Sequence, residues 1–361
     1  MRVLCLADHL GHRGGGVHGG TTYFETALPS LRRAGVDIHA GFLDPPHPAA
    51  ERLRSAGVEP TFLARQKWDP RAGLDLLRLV RRLRPAVLHL HSEKSILLGR
   101  LVGRQVGVPA VIHLHDALKP KLGPVQRRLT PGTASVVVIS DALTEHARAD
   151  FGASDDQIEV VHYGRDLGAF AEVGAEARTA ARAELGIPGD AVVVALIGRV
   201  VREKGQRDLL AAAPQVLARC PAARFLVIGT GPDLDDCVDY ARSLGITDRV
   251  WFTGQRDDVP AMLAASDLTA MPSRWVEGFG WSALESIAAG RPVVAYRSGG
   301  IPVVVQHEET GLLVESADVD GLASAAARLA ADPNLRRHHR RAMLVRRWHV
   351  RRQRRRRPGD R

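Results

Sequence analysis

The chain has few cysteines, no long apolar run and no complete dinucleotide-binding fingerprint. Cys5, Cys220 and Cys237 are the only three cysteines in 361 residues. Their number is odd, and their spacing fits neither a disulfide framework nor a thiolate metal site. They read as small buried hydrophobes in a reducing, cytoplasmic setting. No stretch of about 18 apolar residues occurs, so no membrane-spanning helix is expected. The opening MRVLCLADHLG is too short in apolar length for a signal-peptide core and runs into His, Arg and Gly. It reads instead as a first buried strand. G-x-G-x-x-G is missing after that strand, which disfavours a nicotinamide-dependent oxidoreductase. No internal sequence repeat is visible.

What is present is enough for two domains, with 45% hydrophobic residues. The net charge of +10 is unevenly spread. Residues 336–361 hold thirteen Arg against one Asp, a surplus of +12, so the other residues sum to −2. The basic character therefore belongs to the tail, expected to be disordered or atypical, because blocks of like charge repel and do not pack. Such a tail could meet nucleic acid or anionic lipid. Alone it is too weak a signal, and no nucleic-acid partner is expected.

Short apolar runs alternate with amphipathic stretches. RVLCLA, PAVLHLH, PAVIHLH and SVVVIS stand in the first half; AVVVALIG, RFLVIGTG, RVWFTG, LTAMPS and PVVAYR stand in the second. Continuous Val/Ile/Leu runs bounded by Gly or Pro are the signature of parallel strands covered on both faces. Between them, LDLLRLVRRLRP repeats Leu74, Leu77, Val80 and Leu83 at helical steps. The pattern predicts α/β architecture with parallel sheets. It restarts after a connecting stretch at about 168–190. The expected domains are 1–175 and 187–335, two Rossmann-like halves facing across a cleft, with ligands at the carboxyl ends of strands.

Four stretches carry candidate chemistry. In ALIGRVVREKGQRDLL, Arg199 and Lys204 precede a helix and suit an anion; solvated helix-start residues are the plainer reading. LVIGTGPDL places Gly229 and Gly231 after a strand. Five glycines between positions 14 and 20, including Gly19 and Gly20, form a loop that lets backbone N–H groups approach a phosphate, or that is simply flexible. In VEGFGWSALE, Gly278 and Gly280 free the backbone around Phe279. Ser282 and Glu285 match a capping box, Ser-x-x-Glu, a structural reason for Glu285 worth about 1 kcal/mol. Glu277 has no such reason. A loop carboxylate there suits a polyhydroxylated ligand, because it accepts several hydroxyl hydrogen bonds.

EGFGWSALESIAAGRPVVAYRSGGIPVVV resembles the donor-site signature of the retaining GT-B glycosyltransferases, glycosyltransferase family 4 (glycosyl transferases group 1). The hallmark Glu-x₇-Glu falls on Glu277 and Glu285. GRVVREKG, the HGG before Thr21, VLHLHS, VIHLHD, VVVIS, MPSRWVEGFG and TGLLV follow the family's order over about residues 1–335. The resemblance implies a hexosyltransferase using a UDP-, GDP- or ADP-linked sugar and a hydroxyl acceptor, with no metal or other cofactor. Arg199 and Lys204 would hold the diphosphate. Glu285 would bind the ribose hydroxyls, and Glu277 the transferred sugar beside the Phe279 and Gly280 amides. Gly19 and Gly20 would close on the phosphate from the other domain, and His115 would lie near the transferred sugar.

Three departures from the family pattern stand out. Val303 occupies the place of a Glu after GGxP, His162-Tyr163-Gly164 replaces Asn-Gly, and the Arg-rich tail replaces an aromatic-rich C-terminal helix. They keep open a catalytically impaired sugar-nucleotide-binding protein, beside a GT-B nucleotide-sugar epimerase. KPKLGPVQRRLTPG, with Lys119, Lys121, Arg127 and Arg128, offers an acceptor loop or peripheral contact with an anionic membrane at its inner face, against the plainer solvated loop.

Overall fold

The structure, a computed structural model, describes residues 1–11, 19–64, 69, 71–117, 120, 122–164 and 166–345. It divides into two compact units, one built on Met1–Arg165 and the other on Asp166–Arg347. In the first, seven strands run in the order β3-β2-β1-β4-β5-β6-β7. They are β1 Arg2–Ala7, β2 Asp37–Phe42, β3 Pro60–Phe62, β4 Val87–Leu90, β5 Ala110–Leu114, β6 Ser135–Val138 and β7 Ile158–Val160. All neighbours pair parallel. The second unit repeats the plan with six strands, β10-β9-β8-β11-β12-β13. These are β8 Val192–Ile197, β9 Ala223–Ile228, β10 Val250–Gly254, β11 Leu268–Met271, β12 Val293–Tyr296 and β13 Gly311–Val314. They too pair parallel throughout.

Burial on both faces explains the unbroken apolar runs. In β8, Val194 and Leu196 pack with Leu209, Val216, Leu322 and Leu329 from helices on one face. Val193 and Ala195 pack with Ala181, Met262 and Ala265 on the other. Each large aliphatic side chain removed from water this way contributes about 1.5–3 kcal/mol. The strand order reverses between β1 and β4 in one unit and between β8 and β11 in the other. These are the topological switch points at which open α/β sheets present their carboxyl-end loops to a ligand.

All nine expected strands are present. β2, β3, β7 and β13 were not read as strands from their own periodicity. β3 and β7 are three-residue edge strands, where half-covered short segments carry little apolar signal; β13, also at an edge, is buried but only four residues long. The helix around Leu74 forms as Arg71–Leu83, but its face is rotated from the one expected. Ala72, Leu76, Leu79 and Val80 are buried, while Leu74 is 56% exposed. The connecting stretch forms two helices, Gly168–Ala171 and Ala175–Glu184. The second is locked to the second unit: Arg178 and Arg182 each donate to Asp267, at 2.7 and 2.8 Å, and to backbone carbonyls of 264–266.

The Arg-rich tail is ordered further than expected. The helix Pro333–Val345 runs well past residue 336. His339 is fully buried, with Nδ1 at 2.9 Å from the Glu309 carbonyl, and Arg336 donates to the carbonyls of Leu329 and Ala330. Tail charge at the start of this segment is spent on backbone carbonyls, the usual partners of a helix-end cation. The remainder of the tail lies outside the described residues. Among the described residues no helix is long and apolar enough to cross a membrane.

Candidate functional site

The second unit gathers its candidate residues at the carboxyl ends of β8 and β11. β8 leads through Gly198 and Arg199 into a short 3-10 turn, Arg202–Lys204, and then the helix Gln206–Arg219. Gly205 joins turn to helix with φ +72, and a Cβ there would stand 2.0 Å from the Pro272 carbonyl oxygen. The β8 loop and the β11 loop are thus in backbone contact, a proximity only glycine allows. Ser273 Oγ reaches the Glu203 carbonyl at 3.2 Å, and Arg274 N donates to the same oxygen at 2.8 Å.

Glu277 sits between these loops at 8% exposure. Its Oε1 accepts from Lys204 Nζ and from Ser273 Oγ, the latter at 2.7 Å. Lys204 keeps a third of its side chain open to solvent, at 33%. The pair is therefore half-open, exposed along its Lys204 edge while Glu277 is buried. Arg199 is exposed, and its backbone carbonyl accepts from Gln206 Nε2 at 2.8 Å.

Glycines hold the far side. Gly299 has φ +52, and a Cβ on it would meet the Glu277 carbonyl oxygen at 2.1 Å and nitrogen at 2.6 Å. Gly300 N donates to that carbonyl at 2.6 Å. Beneath, the buried Asp208 receives Arg274 through two bonds, 2.8 and 2.9 Å, and the Tyr296 hydroxyl at 2.8 Å. This bidentate fork fixes Arg274, three residues before Glu277. Burial and the Asp208 contact push the Tyr296 hydroxyl well above its usual range, so it stays protonated and donates to Asp208.

The capping box expected at Ser282–Glu285 does not form. The helix begins at Trp281, and Gly280, at φ +97, occupies its N-cap. The left-handed glycine starts the helix two residues early, so Ser282 lies inside the first turn. Its hydroxyl instead approaches Met271 Sδ at 3.5 Å. Glu285 is one turn into the helix and 8% exposed. Capping therefore supplies no reason for it. Phe279 is buried at 3%, and its ring meets Trp281 edge-on at 5.5 Å. Val303 belongs to a single-turn helix, Ile301–Val304.

In the first unit, Gly19 and Gly20 open the helix Gly19–Arg33; positions 14–18 of the glycine loop lie outside the described residues, as do Lys119 and Lys121. His115 stands past the end of β5 in an imidazole cluster. Its Nε2 is 2.9 Å from His91 Nδ1, and its Nδ1 contacts the Tyr163 hydroxyl. His113 Nδ1 and His89 Nε2 are 3.2 Å apart. Tyr23 packs within 5.0–5.3 Å of His91, His113, His115 and Tyr163. Burial holds His89 down at about 4 and pushes His91 and His113 well below the ordinary histidine range, so these rings are neutral. Nearby, Asp8 at the end of β1 accepts from the amides of Lys94 and Ser95, which begin the helix Glu93–Val106.

The structure brings Lys204, Glu277 and the 278–280 backbone into one cluster with Arg199 on its β8 side, and places His115 in the other unit. Ser273, Asp208, Arg274, Tyr296, Gly299 and Gly300 support that cluster and were missed. Ser273 and Arg274 lie within the MPSRWVEGFG stretch already singled out. Asp208 and Tyr296 carry no local signal, because each reads as an ordinary helix or strand residue.

Comparison with known proteins shows the family and the fold. Residues 17–169 match the family described as Glycosyltransferase Family 4, and residues 177–343 match Glycosyl transferases group 1. The chain belongs to this family of glycosyltransferases. A GDP-mannose-dependent alpha-(1-6)-phosphatidylinositol monomannoside mannosyltransferase of Mycobacterium tuberculosis is 36% identical over 239 residues, 62% of this chain and 60% of that protein. A D-inositol 3-phosphate glycosyltransferase of Saccharomonospora viridis is 35% identical over 275 residues, 69% of this chain and 63% of that one. The chain thus spans about 60% of the length of these curated relatives. Among solved structures, Anabaena HepE in complex with UDP superposes with a TM-score of 0.81 at 22% identity, over 96% of this chain and 94% of that one. Sucrose-phosphate synthase of Thermosynechococcus elongatus gives 0.73 at 23%, over 96% and 94%. The fold is GT-B, two Rossmann-like parallel-sheet units, as expected from the sequence.

Proposed function

We propose that the protein transfers a hexose from a nucleoside-diphosphate sugar to a hydroxyl acceptor with retention of configuration. The observation that carries this reading is the half-open Lys204–Glu277 pair at the β8/β11 switch point, held by Ser273 and walled by glycines. Arg199 and Lys204 meet the diphosphate, Glu277 accepts from hydroxyls of the transferred sugar beside the Phe279 and Gly280 amides, and Glu285 accepts from the ribose. In the reaction the sugar C1–O bond to phosphate breaks and a bond from C1 to the acceptor oxygen forms. The acceptor proton passes to the leaving phosphate. Charge grows on that phosphate as it departs, and one well-placed donor there is worth about 10²–10³ in rate. Two cations of the chain fill this role, so no metal or other cofactor is needed for transfer.

The Mycobacterium tuberculosis relative is named for GDP-mannose and Anabaena HepE was solved with UDP, which makes guanine and uracil the first bases to test. The acceptor is a saccharide, a lipid-linked or a small-molecule hydroxyl, met in the cytoplasm or against the inner face of the membrane. Calorimetry against UDP-, GDP- and ADP-sugars, followed by a transfer and hydrolysis assay, tests the reading. Heat from one nucleotide family with sugar release supports it. Binding without release from any donor turns the assignment to a sugar-nucleotide-binding protein, and inversion at C2 or C4 of the donor to an epimerase. Lys204→Ala is expected to cut turnover about 10²–10³-fold while Glu277 keeps its Ser273 hydrogen bond. Wild-type turnover in that variant overturns the phosphate role.

A further inference from the structure

We infer that Gln206 is a positioning residue for Arg199, setting the direction in which that guanidinium meets the donor diphosphate. The inference rests on the reading of Arg199 as a diphosphate ligand. Gln206 opens the helix Gln206–Arg219, directly after the loop that carries Arg199 and Lys204, and is 1% exposed. Its Nε2 reaches back over seven residues to donate to the Arg199 carbonyl at 2.8 Å. The N–H of the same peptide unit, on Val200, donates to the Thr230 carbonyl at 3.0 Å. A peptide unit is planar, so one bond at its carbonyl and another at its N–H fix the whole plane. That plane begins at the Arg199 Cα. Holding it limits rotation of Arg199 about its own ψ and aims the Cα–Cβ bond of an otherwise exposed side chain.

The other side of the segment is held by β9. Gly198 N donates to the Ile228 carbonyl at 3.0 Å. A Cβ on Gly229 would stand 2.0 Å from the Gly198 carbonyl oxygen, and one on Gly231 would stand 2.1 Å from that of Val200. The two glycines of LVIGTGPDL thus let a neighbouring backbone close on residues 198–200. Farther along, Arg202 N donates to Asp233 Oδ2 at 2.6 Å. Backbone contacts therefore fix Gly198 and Val200. The Arg199 carbonyl has one local bond, from Val201 N at 3.1 Å, and is otherwise held by Gln206.

Folding alone does not explain an amide at this position. Among the described residues, Gln206 Oε1 is buried with no hydrogen-bond partner. Turned the other way, that oxygen would face the Arg199 carbonyl, so the contact itself sets which end of the amide donates. A buried acceptor left unpaired is destabilising, and an apolar side chain of the same shape is close to neutral or better for the fold. The amide is kept for its single bond, and that bond goes to a residue at the candidate site. Such local rule-breaking concentrates where function needs it. Displacing a positioned group by about 1 Å can cost on the order of 10² in rate.

The test uses the full chain and the nucleoside diphosphate, UDP or GDP, that gives heat with wild type. Gln206→Met keeps the length and apolar stem of the side chain and removes the donor. Its urea midpoint is expected at or above that of wild type. Its diphosphate Kd should rise about 10-fold, with a matching fall in kcat/KM for the nucleotide sugar. In an Arg199→Ala background the same change should add nothing, because Gln206 acts through that guanidinium. Effects that add in the double variant overturn the inference. So does wild-type affinity in folded Gln206→Met. A lowered midpoint in both Gln206→Met and Gln206→Leu assigns the side chain to the fold and overturns it as well. Failure of the underlying reading looks different. Wild-type affinity in Arg199→Ala, or no heat from any nucleotide with the wild-type chain, removes the diphosphate role itself, and the inference falls with it.

Discussion

Replacing Gly299 with alanine probes the backbone wall that positions Glu277. Gly299 sits at φ +52, and its added Cβ would lie 2.1 Å from the Glu277 carbonyl oxygen and 2.6 Å from the Glu277 nitrogen. Two costs combine. An L-residue in the left-handed region costs roughly 1–2 kcal/mol, and forcing an atom into a filled space typically costs about 1–3 kcal/mol more. The clash is with backbone, so it cannot be relieved by turning a side chain. The expected loss is about 2–5 kcal/mol in the unfolding of the second unit, or the Glu277 segment must move. Moving it also strains the Gly300 N to Glu277 carbonyl bond of 2.6 Å. Urea unfolding with a probe in the second unit reads the first outcome. At a slope of about 2 kcal/mol per molar, the midpoint drops by about 1–2.5 M. Nucleotide-sugar calorimetry reads the second. Gly189→Ala is the control, since nothing lies within 4 Å of its Cβ, and it should be neutral or slightly stabilising. A Gly299→Ala protein with the stability and donor affinity of wild type would refute the argument that this glycine sets the position of Glu277.

Asp208→Ala removes the acceptor of both Arg274 and the Tyr296 hydroxyl. It should cost about 3 kcal/mol, seen by denaturant unfolding; Tyr296→Phe, which leaves the Arg274 fork intact, should cost about 1 kcal/mol. Cys5 and Cys237 should resist iodoacetamide in the native protein at pH 8, because burial pushes their thiols up to about 12 and about 11. Peptide mass spectrometry before and after unfolding reads this, and rapid native labelling of either would contradict the packing. The fully buried His339 has its pKa lowered by burial. The unfolded chain therefore binds a proton that the native state refuses, and stability falls as pH drops through about 6.5, the unfolded value. His339→Gln should flatten the stability profile between about pH 7 and 5; an unchanged slope would show that His339 is not buried neutral.

Local pattern made the central strands legible. β8 and β9 read correctly because both faces are covered, so nearly every residue is apolar. Edge strands β3 and β7 did not, because exposure on one side removes that pattern. The helix Arg71–Leu83 shows the limit of periodicity. With leucines at 74, 76, 77, 79 and 83, two faces score as apolar, and only packing chose the one containing Leu76 and Leu79. The capping box failed for a related reason. Ser-x-x-Glu is a statement about where a helix starts, and the left-handed Gly280 moved that start.

The sequence alone determined the two-unit parallel α/β plan, the family, and the prominence of Glu277, Lys204, Arg199 and His115. The plan follows from strand-length apolar runs, whereas the family and the prominence of these residues rest on the resemblance carried by the Glu277–Glu285 stretch and the motifs around it. Tertiary structure decided which of them meet. Lys204 and Glu277 are 73 residues apart in sequence, and share a hydrogen bond because β8 and β11 are neighbours in the sheet. The support by Asp208, Arg274 and Tyr296 spans three elements, and the histidine cluster spans β4, β5 and the segment after β7. A strand's neighbour is set by sheet order, which no local periodicity encodes. The contacts that orient the candidate groups therefore become visible only once the strands are assembled.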